Sequence, residues 1–147
     1  MPGRTLLLSI RPEFADKVFA GTKTVELRRI RPKVAIQDLV LVYASTPVRA
    51  IVGAFRVREV IEKSPAMLWK EVRDHAGITR RQFDDYYSGA PKAFGIFLSS
   101  VRRFHQPVEL IRLRKLWPGF HPPQSYRYLD LYQARLILPY KSKITRL

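Results

Sequence analysis

With 147 residues, 46% of them hydrophobic, the chain can fill one real core and falls short of two full domains. It contains no cysteine, which excludes a disulfide framework, a thiol nucleophile and a thiolate zinc site. Lys and Arg number 27 against 12 Asp and Glu, a net charge of +15, so a polyanion is the first expected partner, with nucleic acid ahead of any membrane surface.

Residues 6–10 (Leu-Leu-Leu-Ser-Ile) predict a short buried strand, and the run is too short for a signal core or a membrane span. A cytoplasmic protein is expected, with no membrane attachment. Pro12 suits a first helical turn, and Glu13 and Asp16 favour its positive end. Phe14, Val18 and Phe19 recur at helical spacing, and Gly21 is a good C-terminal cap. From Thr24 the period becomes two, with Val25 and Leu27 on one face and Thr24, Glu26 and Arg28 on the other. Residues 38–43 (Asp-Leu-Val-Leu-Val-Tyr) predict a strand, Ser45, Thr46 and Pro47 a turn, and residues 48–61 a long strand. Gly53 inside that strand implies a bulge or a close backbone approach.

Ser64 as N-cap and Pro65 at the first position open a helix carrying Met67, Leu68, Glu71 and Val72. After Gly77 a second helix is expected from Thr79 through Phe83 to Tyr87. Residues 92–101 and 108–113 predict strands, residues 117–123 a Pro/Gly loop, and residues 126–136 a short final helix. The sum is a mixed α+β domain: a β-barrel of about five or six strands with covering helices, over residues 1–138, followed by a basic tail over 139–147.

Charge is uneven along this order. Residues 1–58 carry 11 basic and 4 acidic side chains, residues 59–100 carry 6 of each, and residues 101–147 carry 10 basic and 2 acidic. Two basic arms around a neutral middle place both ends of the chain against one polyanion. In the second arm Arg102, Arg103, Arg112, Arg114, Lys115 and Arg127 are interleaved with Trp117, Phe120, Tyr126 and Tyr128, a composition suited to single-stranded RNA, whose bases stack on rings while phosphates meet cations. The turn Ala76-Gly77-Ile78-Thr79 mimics that of a DNA-binding helix-turn-helix, but the helix after it carries Asp84 and Asp85, which repel phosphate. Residues 64–90 are therefore expected to cover the barrel without touching nucleic acid. The three histidines, His75, His105 and His121, show no ligand spacing, so neither a metal nor a cofactor is expected.

The segment with most chemistry is Ser9-Ile10-Arg11-Pro12 followed by Gly21-x-Lys23-x-x-Glu26-x-Arg28. The glycine-capped turn sets Lys23 where the chain leaves the helix, while Glu26 and Arg28 project from one face of the next strand. A lysine and a carboxylate held together can tune each other's pKa, bind a polar base edge or relay a proton. Lys23 and Glu26 are expected to be replaceable at little cost in stability, unlike the core residues Val25 and Leu27.

This pattern resembles the signature of ASCH domains, members of the PUA-like superfamily of β-barrels. The likeness extends through residues 38–45 and 52–55, which look like the following barrel strands, and through residues 122–129 (Pro-Pro-Gln-Ser-Tyr-Arg-Tyr-Leu), which look like the closing segment of one subgroup. The resemblance implies binding of RNA or a modified nucleoside in a cleft between barrel and helix, lined here by Lys23, Glu26 and Arg28. A subset of the family are N-acetylcytidine amidohydrolases or ribonucleases. In the amidohydrolases the lysine works with a threonine, at whose position this chain has Glu26. Motif, likeness and charge together give an expected contact set of Ser9, Arg11, Lys23, Glu26, Arg28, Tyr43, Ser45, Arg102, Arg103, Gln124, Ser125 and Arg127, with Lys23 and Glu26 catalytic if the chain is an enzyme. The leading expectation is a binder of RNA or of a nucleotide-like ligand. The alternatives are a hydrolase acting on RNA or a modified nucleoside at the same cleft, and a regulatory module that recruits a partner protein.

Overall fold

The computed structural model describes residues 5–138; the basic tail expected over 139–147 lies outside them. Among the described residues the order is β1 (Thr5–Ile10), α1 (Pro12–Ala20), β2 (Val25–Arg28), β3 (Leu39–Ala44), β4 (Ala50–Lys63), α2 (Pro65–Val72), α3 (Arg80–Tyr87), β5 (Ala93–Glu109), α4 (Leu110–Leu116), β6 (Tyr126–Leu129) and α5 (Leu131–Ile137). The strands form one curled, half-barrel sheet in the order β2-β5-β4-β3-β1-β6. The pairing of β1 with β3 is parallel and the others are antiparallel. A parallel pair needs a crossover, and α1 with β2 supplies it. The expected mixed α+β barrel with covering helices is the architecture observed.

Apolar runs sit where both faces of the sheet are covered. Leu6, Leu8, Val40 and Val42 pack with Ala15 and Val18 of α1 in one cluster. Their neighbours Leu7, Leu39 and Leu41 point the other way, into a cluster with Leu110, Leu113 and Ile137 of α4 and α5. A third cluster joins Val25 and Leu27 of β2 to Leu68, Val72, Phe83 and Tyr87 of α2 and α3. Local chemistry sets the helix ends. The Ser64 hydroxyl accepts from the Met67 amide, Thr79 and Gln82 form a capping box, and Gly21 closes α1 in the left-handed region at φ 84°.

Gly53 is the close approach its place in the strand implied. A Cβ there would lie 2.4 Å from the Arg102 carbonyl oxygen and 2.4 Å from the Phe19 ring. Two expectations are corrected. Residues 108–113 are not a separate strand: Val108 and Glu109 end the long β5, and Leu110–Leu116 is helical, with Leu110 and Leu113 buried three residues apart. Residues 126–136 are not one helix: Tyr126–Leu129 pairs antiparallel with β1, and the helix begins only after Asp130, which caps it by accepting from the Gln133 amide.

Candidate functional site

The parallel strands β1 and β3 end side by side, Ile10 opposite Ala44. Above their C-terminal ends lies a cleft of about 1130 Å³. Ser9 and Arg11 enter it from the end of β1, Phe14 from α1, Glu26 and Arg28 from β2, and Tyr43, Ser45, Thr46 and Arg49 from β3 and the turn beyond. Ile78, Gln82, Asp85 and Tyr86 form the α3 wall, with Arg114 of α4 and Pro122, Pro123 and Gln124 opposite. The cationic side chains on this lining are Arg11, Lys23, Arg28, Arg49 and Arg114, against the carboxylates of Glu26 and Asp85.

One polar cluster sits at the β2 side. Lys23 is only 4% exposed and Glu26 8%. The Lys23 ammonium donates to the Ala76 carbonyl at 2.6 Å, stands 3.9 Å from Glu26 Oε1, and lies 5.5 Å from the centre of the Phe14 ring. Burial lowers its pKa below the ordinary value; Glu26 opposes the shift, and Lys17 and Arg28 add to it. Arg28 donates through Nη2 to Glu26 Oε2 at 2.8 Å and through Nη1 to the Ser125 hydroxyl at 2.9 Å. Its Nε is buried without a hydrogen-bond partner in the protein.

The loop before α3 supplies what the lysines need. Its successive carbonyls accept from the Thr24 amide (His75 oxygen, 2.8 Å), from Lys23 (Ala76 oxygen) and from Lys17 (Gly77 oxygen, 2.7 Å). The neutral middle of the chain is therefore more than a cover. It anchors Lys23 and forms a wall of the cleft. Tyr86 donates its hydroxyl to the Leu27 carbonyl and Tyr87 to that of Arg28, which ties α3 to β2; burial raises both phenol pKa values.

Tyr43, Arg49 and Arg114 line the same cleft. Tyr43 is buried to 3% exposure, and its phenol pKa is raised by that burial against the pull of Arg49 and Arg114. Arg49 adopts a left-handed backbone at φ 52°, uncommon for its residue type.

Of the residues expected from sequence, Ser9, Arg11, Lys23, Glu26, Arg28, Tyr43, Ser45 and Gln124 line this one cleft. Ser125 stands behind Arg28 as its acceptor. Arg102, Arg103 and Arg127 lie off the lining. Arg103 covers the Phe19 ring at 4.8 Å and meets Asp16 at 3.5 Å, and Arg127 covers Trp117 at 4.8 Å. Sequence reasoning missed Arg49, Gln82, Asp85 and Tyr86. Among the described residues no group of three or more His, Cys, Asp or Glu side chains gathers to hold a metal.

The ASCH domain family model matches residues 8–107. An ASCH domain-containing ribonuclease of Zymomonas mobilis is 30% identical over 141 residues, covering 94% of this chain and 93% of the relative. The crystal structure of ASCH from Zymomonas mobilis superposes with a TM-score of 0.87 at 28% identity, over 92% of this chain and 94% of the other. Human THYN1 protein, solved in complex with 5-methylcytosine containing DNA, shares the fold at a TM-score of 0.56 and 12% identity, over 92% of this chain and 96% of the other.

Proposed function

The chain belongs to the ASCH domain family, and on that footing we propose that it binds single-stranded RNA in the cleft between β2, α1 and α3 and cleaves it there. The observation that carries the reading is that two unlike groups of side chains line one cleft. Lys23, Glu26 and Arg28 form a buried, cross-braced donor and acceptor array. Tyr43, Arg49 and Arg114 form a cationic site around a phenol. The first array suits a nucleobase edge, with the Glu26 carboxylate accepting from an exocyclic amine. The second suits a phosphate, which Arg side chains hold by paired charge-assisted hydrogen bonds.

Cleavage then follows from what the phosphate site does to charge. The ribose 2′-hydroxyl gives its proton to water as its oxygen attacks the adjacent phosphorus. The bond to the 5′-oxygen breaks, and the products are a 2′,3′-cyclic phosphate and a 5′-hydroxyl. Arg49 and Arg114 stabilise the charge that accumulates on phosphorus oxygens. Tyr43, whose pKa is raised by burial, stays protonated at neutral pH and donates its proton to the departing 5′-oxygen. The Tyr43 phenolate left by protonation of the 5′-oxygen regains its proton from water. A relative whose name is that of a ribonuclease supports this reading over binding alone. The test is incubation with a 5′-labelled single-stranded RNA and the same sequence as DNA, resolving product ends. Fragments ending in 2′,3′-cyclic phosphate from RNA, and none from DNA, are expected. Retention of both strands without cleavage would leave binding alone, and 3′-hydroxyl ends would refute the 2′-oxygen route.

A further inference from the structure

The segment that follows Arg28 is Arg29-Ile30-Arg31-Pro32-Lys33, and its surface is unlike that of an ordinary connection. Arg29, Ile30, Arg31 and Lys33 are exposed while Pro32 is buried. Ile30 is 74% exposed, the most exposed of the large apolar side chains in the described part of the chain. Ile30 thus presents an apolar surface to solvent between two exposed arginines.

The loop is also held from both sides. Arg29 Nη1 donates to the Tyr86 carbonyl at 2.6 Å and to the Ser88 carbonyl at 3.2 Å, fastening one end to α3. The Lys33 amide donates to the Tyr128 hydroxyl, fastening the other end to β6. Tyr86 lines the cleft, and β6 follows directly on Gln124 and Ser125. The loop therefore forms a fixed rim bridging the α3 wall and the opposite wall, with its free side chains outward.

We propose that this rim, Ile30 with Arg31 and Lys33, is a second binding site that takes the RNA strand as it leaves the cleft. The inference rests on the reading of the cleft as an RNA site. Arg31 and Lys33 hold flanking phosphates, and Ile30 lies against a base or sugar between them. Residues 28–33 span at most about 17 Å, so a strand that continues a few nucleotides beyond the cleft reaches this rim. Arg29 is spent on fastening the loop and takes no part in the contact. The consequence is a dependence of affinity on strand length, carried by residues remote from the cleaved bond.

The experiment compares a dinucleotide and a twelve-nucleotide single-stranded RNA, by affinity across a salt series and by turnover. The proteins are the parent, Ile30→Ser, and the Arg31→Ser/Lys33→Ser double variant. For the long strand the double variant should lose on the order of tenfold in affinity at low salt, and its log–log salt slope should fall by about 1.4, the loss of two phosphate contacts. Ile30→Ser should weaken the long strand at an unchanged salt slope. Neither variant should alter dinucleotide turnover, which also reports that the cleft is intact. Equal parental affinity for both lengths, or a double variant with the parent's slope, overturns the rim while the cleft reading stands. A parent that neither binds nor cleaves either RNA overturns both.

Discussion

Replacing Lys23 with methionine isolates the ammonium from its stem. Methionine keeps the apolar contact with Phe14 and removes the donor that meets the Ala76 carbonyl at 2.6 Å. A hydrogen bond made by a charged group contributes about 1.5–3 kcal/mol, and its loss leaves a carbonyl on a fully buried residue short of a donor. Against this, the variant no longer carries a desolvated cation, and Glu26 keeps Arg28 at 2.8 Å, so no carboxylate is left unpaired. The balance is a destabilisation of about 1–2 kcal/mol at neutral pH, read as a lower urea midpoint. This revises the expectation that Lys23 could be removed at little cost in stability. The proton adds a second signature. Lys23 has its pKa lowered in the folded state, chiefly by burial, from the 10.5 of the unfolded chain. Between the folded and unfolded values the unfolded state binds more protons, so the parent gains stability as pH rises through that window. The methionine variant has no such group, so the gap between parent and variant should widen from neutral pH toward 10.5. A gap that narrows, or an unchanged midpoint at neutral pH, would refute the buried and desolvated lysine.

Three further substitutions probe other parts of the structure. Gly53→Ala puts a Cβ against a backbone carbonyl that cannot move aside, so it should cost roughly 1–3 kcal/mol and lower the melting temperature; an unchanged melt would show that β4 and β5 do not approach so closely. Tyr43→Phe should retain RNA on a filter while losing roughly a hundredfold or more in cleavage rate, as removal of a proton donor predicts; parental rates would take the phenol out of the reaction. Serine at Arg49 and Arg114 should weaken RNA binding at low salt, whereas serine at Arg102 and Arg103, which lie off the cleft lining, should leave it near the parent's. Equal losses in the two variants would bring Arg102 and Arg103 back into the site.

What could be read from the sequence was what neighbouring residues decide among themselves. The Ser64 cap, the Thr79 capping box and the glycine closing α1 are local devices, and each marks its helix where it lies. The motif likewise brought Lys23, Glu26 and Arg28 together, because a turn and one strand suffice to do so. Residues 110–116 misled for a physical reason. Ile111 is apolar yet 71% exposed, and it blurs the three-residue spacing of Leu110 and Leu113 into an apparent strand. The four residues of β6 are a strand only because β1, from the far end of the chain, pairs with them. Arg49, Tyr86 and the Ala76 carbonyl were out of reach in the same way. Their place in the cleft depends on how the α2–α3 unit docks on β2 and on a left-handed backbone at a residue whose type does not announce one.

The position of the cleft follows from how the sheet ends. A six-stranded sheet that curls without closing has two edges, here β2 and β6, and unpaired edges invite a foreign strand. Both are four residues long, which limits that hazard, and the gap between them is spanned by side chains in place of a backbone ladder. Arg28 at the end of β2 reaches Ser125, just before β6, and is braced by Glu26, which in turn faces Lys23. Burying these charges is unfavourable unless each finds a partner, and β2, the loop before α3 and Ser125 supply partners for these side chains, the Arg28 Nε excepted. The bridge across the open edge and the floor of the cleft are thus the same residues. A substitution that loosens the bridge should therefore disturb ligand recognition and the closure of the half-barrel together, which is why Arg28, and not a rim cation, ties the fold of this domain to its site.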